Sequence, residues 1–262
     1  MTEQIQNRRA EFEARRRAST RQTSVRRVHS MLRATIRGRS IAPDEQIVES
    51  SVADSMAMSR NAVREALQRL AAEGLVARRV RFGTGLGPGS IMRLPSAEPW
   101  PVNRRDLAGD IAVRELECRQ VPPSPYLRNR LELCERDEVV LVEHLIEVDG
   151  EPFCVRVSYR RRPPDMVVQP PRDAEMPLRA GPPMPIEAAY GYLRGRNLGM
   201  LESSTESVAG DPRTSRLLDL PDESPLLLRE TFARDADGRP FEVSFTWYRG
   251  DRVAVINTAQ AL

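Results

Sequence analysis

Residues 59–79, SRNAVREALQRLAAEGLVARR, combine an apolar stripe with a basic outer face. Val63, Ala66, Leu67 and Leu70 recur at the spacing of one buried side of an α-helix. Ser59 can accept a free backbone N–H at the start of that helix, and Gly74 suits the left-handed position that ends one. The exposed positions are then Arg60, Asn61, Arg64, Gln68 and Arg69. Arg60 and Arg64 lie one turn apart on the same side. Their guanidinium forks match the O6 and N7 of guanine or two phosphate oxygens, and Asn61 and Gln68 suit adenine or phosphate.

Working outward, Val25, Val28, Leu32 and Ile36 share one face of a helix that ends at Gly38. Residues 41–44 read as a turn. Glu49 to Met56 reads as a short helix with Val52, Ala53 and Met56 inward, followed by a turn at Ala57 and Met58. Downstream, Leu75 to Val80 predicts a strand, 81–85 a tight turn, and a return strand near Leu86. Arg78, Arg79 and Arg81 make this hairpin basic, and Gly83 and Gly85 let its backbone approach a groove. Three helices followed by a basic hairpin is the layout of a winged helix-turn-helix, whose partner is double-stranded DNA.

The 262-residue chain is long enough for two domains, and its charge divides between them. It has no lysine. Residues 1–95 hold 18 Arg against 9 acids, and residues 96–262 hold 22 Arg against 28 acids. A basic front joined to an acidic back predicts one polyanion-binding domain and one that is not. Apolar runs are strand-length, so no membrane span is expected, and the polar, Arg-rich start does not read as a signal peptide. Three cysteines at irregular spacings predict free thiols and a cytoplasmic location. With only His29 and His144, no histidine-based metal site or catalytic dyad is available, and no cofactor is expected.

Residues 1–21 read as a basic N-terminal extension, 22–88 as the DNA-binding domain, 89–108 as a Pro- and Gly-containing linker, and 109–262 as a second domain. In the second domain, Ser124-Pro125 and Asp211-Pro212 predict capped helix starts, and Pro185 to Leu198 a helix. Glu138 to Val148 and Phe153 to Arg160 predict a hairpin about Asp149-Gly150, and Leu226 to Arg234 and Phe241 to Arg249 another about Asp237-Gly238. DGEPFCVRVSYR (149–160) and DGRPFEVSFTWYR (237–249) form a weak internal repeat. By alternation, Phe153, Val155, Val157 and Tyr159 share one face, as do Phe241, Val243, Phe245 and Trp247. The opposite faces carry Cys154, Arg156 and Ser158, and Glu242, Ser244, Thr246 and Tyr248. Such a polar face is either solvated or the lining of a ligand cleft.

Two resemblances add to this reading. APDEQIVESSVADSMAMSRNAVREALQRLAAEGLVARR, within residues 24–86, resembles the winged helix-turn-helix of GntR-family bacterial transcription regulators. The resemblance implies groove contacts from Arg60 and Arg64, support at the DNA backbone from Glu49 and Ser59, and a wing tip at Gly83. DGEPFCVRVSYR, DPRTSRLLDLPDESPLLL and DGRPFEVSFTWYRGDRVAV resemble the UTRA effector domain of the HutC subfamily. That implies an α+β chain: the winged head joined to a chorismate-lyase-like domain with an antiparallel sheet and flanking helices. It also implies an effector site on the polar strand face, at His144, Arg156, Ser158, Glu242, Ser244 and Tyr248. Sugar-phosphate binders of the subfamily carry arginines where His144 and Ile146 stand here. The expected function is that of a homodimeric repressor, released from a palindromic operator by a small-molecule effector. Two alternatives stay open: a constitutive repressor of mobile-element transfer genes with a ligand-free dimerisation domain, and a chorismate-lyase-like enzyme.

Overall fold

The computed structural model describes residues 24–38, 40–42, 45–79, 83–87, 92–95, 110–163, 181–194 and 197–256. The N-terminal extension and most of the proline-rich stretch before residue 181 lie outside the described residues. The chain divides into two compact units, Met1–Ile91 and Met92–Leu262.

In the first unit, helix α1 covers residues 24–37, α2 Glu49–Met56 and α3 Arg60–Ala72. The stripe read from the sequence is the core: Val25, Val28, Val63, Ala66 and Leu70 have essentially no exposed surface. Ser59 caps α3, its hydroxyl accepting from the Ala62 N–H at 3.2 Å. Gly74, at φ +71°, ends it in the left-handed conformation. The end of α3 is also tied to α1, because Glu73 accepts from Arg33 and lies 2.6 Å from His29 Nε2. Strands β1 (Val76–Arg79) and β2 (Gly83–Leu86) pair antiparallel, and Ile47 bridges to Thr84. The wing closes where Gly87 donates to the Leu75 carbonyl at 2.9 Å. A Cβ on Gly87 would stand 2.2 Å from the Gly74 oxygen, so only glycine fits there.

The second unit is built on a seven-stranded sheet in the order β7-β4-β5-β6-β10-β9-β8, antiparallel throughout. Its strands are β4 (Ile111–Val121), β5 (Val139–Val148), β6 (Glu151–Arg161), β7 (Pro183–Pro185), β8 (Leu198–Ala209), β9 (Pro225–Asp235) and β10 (Pro240–Arg249). β3 (Met92–Pro95) lies inside the stretch expected to be linker, yet it pairs in parallel with β11 (Val253–Ile256). The helix expected to reach Leu198 is α5, Ile186–Arg194, and Leu198 begins β8.

Alternation along the strands sends Leu145, Val155 and Trp247 to one face, where they pack on Leu217 and Leu218 at the end of α6 (Pro212–Leu217). Val139, Val243 and Phe232 pack on Leu127 and Leu131, brought there by α4 (Pro125–Arg130). Both short helices start as expected: Ser124 accepts from the Leu127 N–H, and Asp211 from those of Arg213 and Thr214. On the opposite face Ile146, Cys154 and Tyr248 pack under Ile186 and Tyr190 of α5. Phe153 departs from the expected alternation. It joins this α5 cluster, its ring edge-on to Tyr248 at 5.9 Å, beside the irregular register at Ile146 and Glu147.

Candidate nucleic-acid interface and ligand face

On the outer side of α3, Arg60, Asn61, Arg64 and Gln68 are all exposed. Among the described residues Arg60 has no ion-pair partner. Arg64 donates through Nε to Glu49 Oε2 at 3.3 Å, and Arg78 Nη2 lies 3.6 Å from Glu49 Oε1. Arg69 pairs with Glu65 at 3.1 Å along the helix. The expected DNA residues thus divide. Arg60, Asn61, Arg64 and Gln68 form one surface, with Arg78 of the wing strand tied to it through Glu49. Glu49 holds protein arginines, and Ser59 caps the helix. Gly83 is exposed at φ +78° at the start of β2. Arg79 lies in β1, but its side chain, like Arg81 as a whole, is outside the described residues. The role of Glu49 was hidden in sequence because its partners are 15 and 29 residues away.

In the second unit the two repeats become neighbouring strands, so their polar faces merge. The register sets His144, Arg156, Thr246 and Arg229 in one cross-strand row, and Val142, Ser158, Ser244 and Thr231 in the next. His144, Arg156, Ser158, Glu242, Ser244 and Tyr248 are all buried. Arg156 donates through Nη2 to Glu242, whose other oxygen accepts from the Tyr192 hydroxyl. His144 Nδ1 shares a hydrogen bond with the Tyr190 hydroxyl at 2.9 Å, and the Arg156 guanidinium lies 5.2 Å from the Tyr190 ring centre. Arg156 Nη1 is buried with no hydrogen-bond partner among the described residues. Tyr248 packs its ring in the α5 cluster and hydrogen-bonds Thr246.

Charge state follows from burial. Burial, then the Glu242 carboxylate, pushes the Tyr192 hydroxyl well above its ordinary value, so it remains a proton donor. Burial alone would lower the pKa of Arg156, but Glu242 more than offsets this and holds it charged. Burial, then Arg156 and Arg160, pulls His144 from its ordinary 6.5 down to about 3, so this imidazole is neutral. Unfolding frees it to take a proton. Below pH 6.5 the unfolded chain therefore binds more protons than the folded one, and the unfolding free energy falls as pH drops toward 3. His144→Gln is expected to remove this component. Urea midpoints measured from pH 7 downward check it, since an unchanged pH slope in the variant would assign the loss to other groups.

A cavity of about 530 Å³ lies at the end of the sheet where β6 finishes and β9 turns into β10. Arg160, Tyr192, Arg239 and Phe241 line it, with Leu131 and Pro163. The Arg160 guanidinium lies 4.0 Å from the Tyr192 ring centre. None of the six expected effector residues lines this cavity, but Tyr192 belongs to both it and the buried network. Tyr192 escaped the sequence reading because Tyr190, two positions earlier, already marks the inner face of α5. Arg229 and Thr246 lie in the polar row and were legible as alternate positions of β9 and β10.

A winged helix-turn-helix with a guanidinium-bearing recognition helix, followed by a separate antiparallel α+β unit with a buried polar face, defines a DNA-binding regulator with an effector-type domain. Residues 24–86 match the family "Bacterial regulatory proteins, gntR family", and residues 186–254 match the UTRA domain. The chain thus carries a GntR-family DNA-binding domain and a UTRA domain, the makeup of a transcription regulator. Among solved structures, PhnF from Mycobacterium smegmatis is 20% identical at a TM-score of 0.56, over 89% of this chain and 100% of that one. The effector domain of PhnF alone is 17% identical at a TM-score of 0.51, over 65% of this chain and all of that one. At these identities the likeness is one of fold. No curated protein matches the chain.

Proposed function

We propose that the protein is a sequence-specific repressor of the HutC type, working in the cytoplasm as a homodimer on a palindromic operator. Residues 22–88 would read DNA and residues 109–262, with β3 paired to β11, would dimerise and sense a small molecule. The observation that carries the DNA reading is Arg60 and Arg64 side by side on the exposed side of α3, with Arg78 tied to Arg64 through Glu49. An α-helix fits the major groove, and a guanidinium fork distinguishes guanine there. Arg64→Ala is expected to weaken operator binding by about 1–3 kcal/mol while changing random-sequence binding far less. Competition binding with operator and scrambled duplexes checks this, and an equal loss on both would reduce Arg64 to a phosphate contact.

Sensing follows from linkage. An effector relieves repression only if it binds the DNA-free dimer more tightly than the DNA-bound one. The cavity beside Arg160 and Tyr192 offers room for such a ligand, and Tyr192 connects it to Glu242, Arg156 and α5. A second reading rests on a specific observation. Glu242 spends both oxygens on Arg156 and Tyr192, so the carboxylate of the expected effector face is already taken up by the protein itself. That favours a ligand-free dimerisation domain and constitutive repression. A thermal-shift screen of small metabolites separates the two, since a ligand at 100 times its Kd adds about 2.7 kcal/mol. Stabilisation coupled to operator release supports sensing, and silence across the screen supports the constitutive form.

A further inference from the structure

Glu49 opens α2, yet its carboxylate serves neither as that helix's cap nor as a partner within it. It reaches both halves of the candidate interface, Arg64 on the recognition helix at 3.3 Å and Arg78 on the wing strand at 3.6 Å. Arg64 is engaged only through Nε. Its Nη1 and Nη2, the donors of an end-on guanine fork, have no hydrogen-bond partner among the described residues. The ion pairs contribute little to stability, because the Arg64 and Arg78 side chains are 55% and 80% exposed and solvent screens them. What the carboxylate does change is the field at this surface. It is a fixed negative charge among Arg64 and Arg78, where a duplex would bring its phosphates. Any duplex that approaches meets this repulsion, and only one that engages the aimed fork offsets it.

Resting on the DNA-binding reading above, we propose that Glu49 is a positioning and specificity-determining residue. It aims the Arg64 fork, links the recognition helix to the wing strand, and repels duplexes that do not engage that fork.

The experiment uses the full chain, an operator duplex recovered by genomic selection, and a random duplex of equal length, across a salt series. Glu49→Gln removes the charge but keeps the shape. It is expected to bind the random duplex several-fold more tightly and the operator no more tightly, so the specificity ratio falls at least by that factor. Its log affinity on random DNA should also steepen against log salt by about 0.9, one arginine being freed for a phosphate. Glu49→Asp keeps the charge but shortens the reach. It should leave random binding unchanged and weaken the operator. Thermal unfolding of each variant identifies a folding defect, and if Glu49→Gln unfolds, the Glu49→Asp result decides alone. The proposal is overturned if Glu49→Gln shifts both duplexes equally or neither, or if Glu49→Asp leaves operator binding at the wild-type level. Failure of the underlying reading looks different, since the wild-type protein would then prefer no duplex over random DNA.

Discussion

Arg156→Ala, and separately Glu242→Ala, should each destabilise the C-terminal unit by about 3–5 kcal/mol, the largest effects expected anywhere in the chain. Both residues are 2% exposed, so removing either strands the opposite charge in a dry interior. Neither neighbour can take its place. Tyr192 is a neutral donor that leaves the Arg156 charge uncompensated, and the His144 imidazole is neutral and already bonded to Tyr190. Replacing both partners by apolar residues of similar volume, as in Arg156→Met with Glu242→Leu, should be far milder and can even stabilise. Urea unfolding followed by the fluorescence of Trp247, which packs on the other face of the same sheet, reads these differences. If single and double variants lost the same amount, packing and not charge would govern the site. The same series bears on function. If the network fixes α5 for a sensing step, the double variant should stay folded and bind DNA but respond to no effector.

Leu70→Ala should cost about 2–5 kcal/mol in the N-terminal unit, through lost burial and the cavity left behind. Leu70 has no exposed surface and sits where α3 meets the rest of a small core. That core is built from few large side chains, chiefly Val25, Val28, Leu32, Val63, Leu67 and Leu75, with alanines at 53, 62 and 66. A small domain has little stability in reserve, so this one truncation should unfold the head while the C-terminal sheet persists. Two measurements check it together. Operator binding should disappear, and calorimetry should lose or shift one transition while leaving the other in place. A variant that still binds DNA at wild-type strength would mean that the head is buttressed by more than its own core.

Much of the head was legible because its information is local. The stripe from Val63 to Leu70, the Ser59 cap and the Gly74 stop each act over a few residues, and the structure places them where the spacing does. The Ser-Pro and Asp-Pro starts of α4 and α6 and the Asp149-Gly150 turn were legible for the same reason. Long-range pairing was not. β4 joins the sheet through partners on β5 and β7, and β11 finds β3 across most of the chain. β8 is polar and largely exposed on both faces, so its sequence carries no alternating apolar signal to announce a strand. The candidate ligand face shows both sides of this limit. Parity correctly gathered Arg156, Ser158, Glu242 and Ser244, since alternation is local. That Arg156 and Glu242 would neutralise each other depended on β6 and β10 being neighbours, which no local pattern encodes.

The most direct measurement is selection of genomic fragments by the purified chain, followed by affinity for the recovered site against random DNA at one fixed salt concentration. The recovered fragments should share an inverted repeat with half-site centres about one helical turn, or a multiple of it, apart. The site should bind at least about a thousandfold more tightly than random duplex. Arg60→Ala and Arg64→Ala should each erode that ratio. Fragments without a common sequence, bound no better than random DNA, would contradict the assignment of α3 as a reader of base sequence.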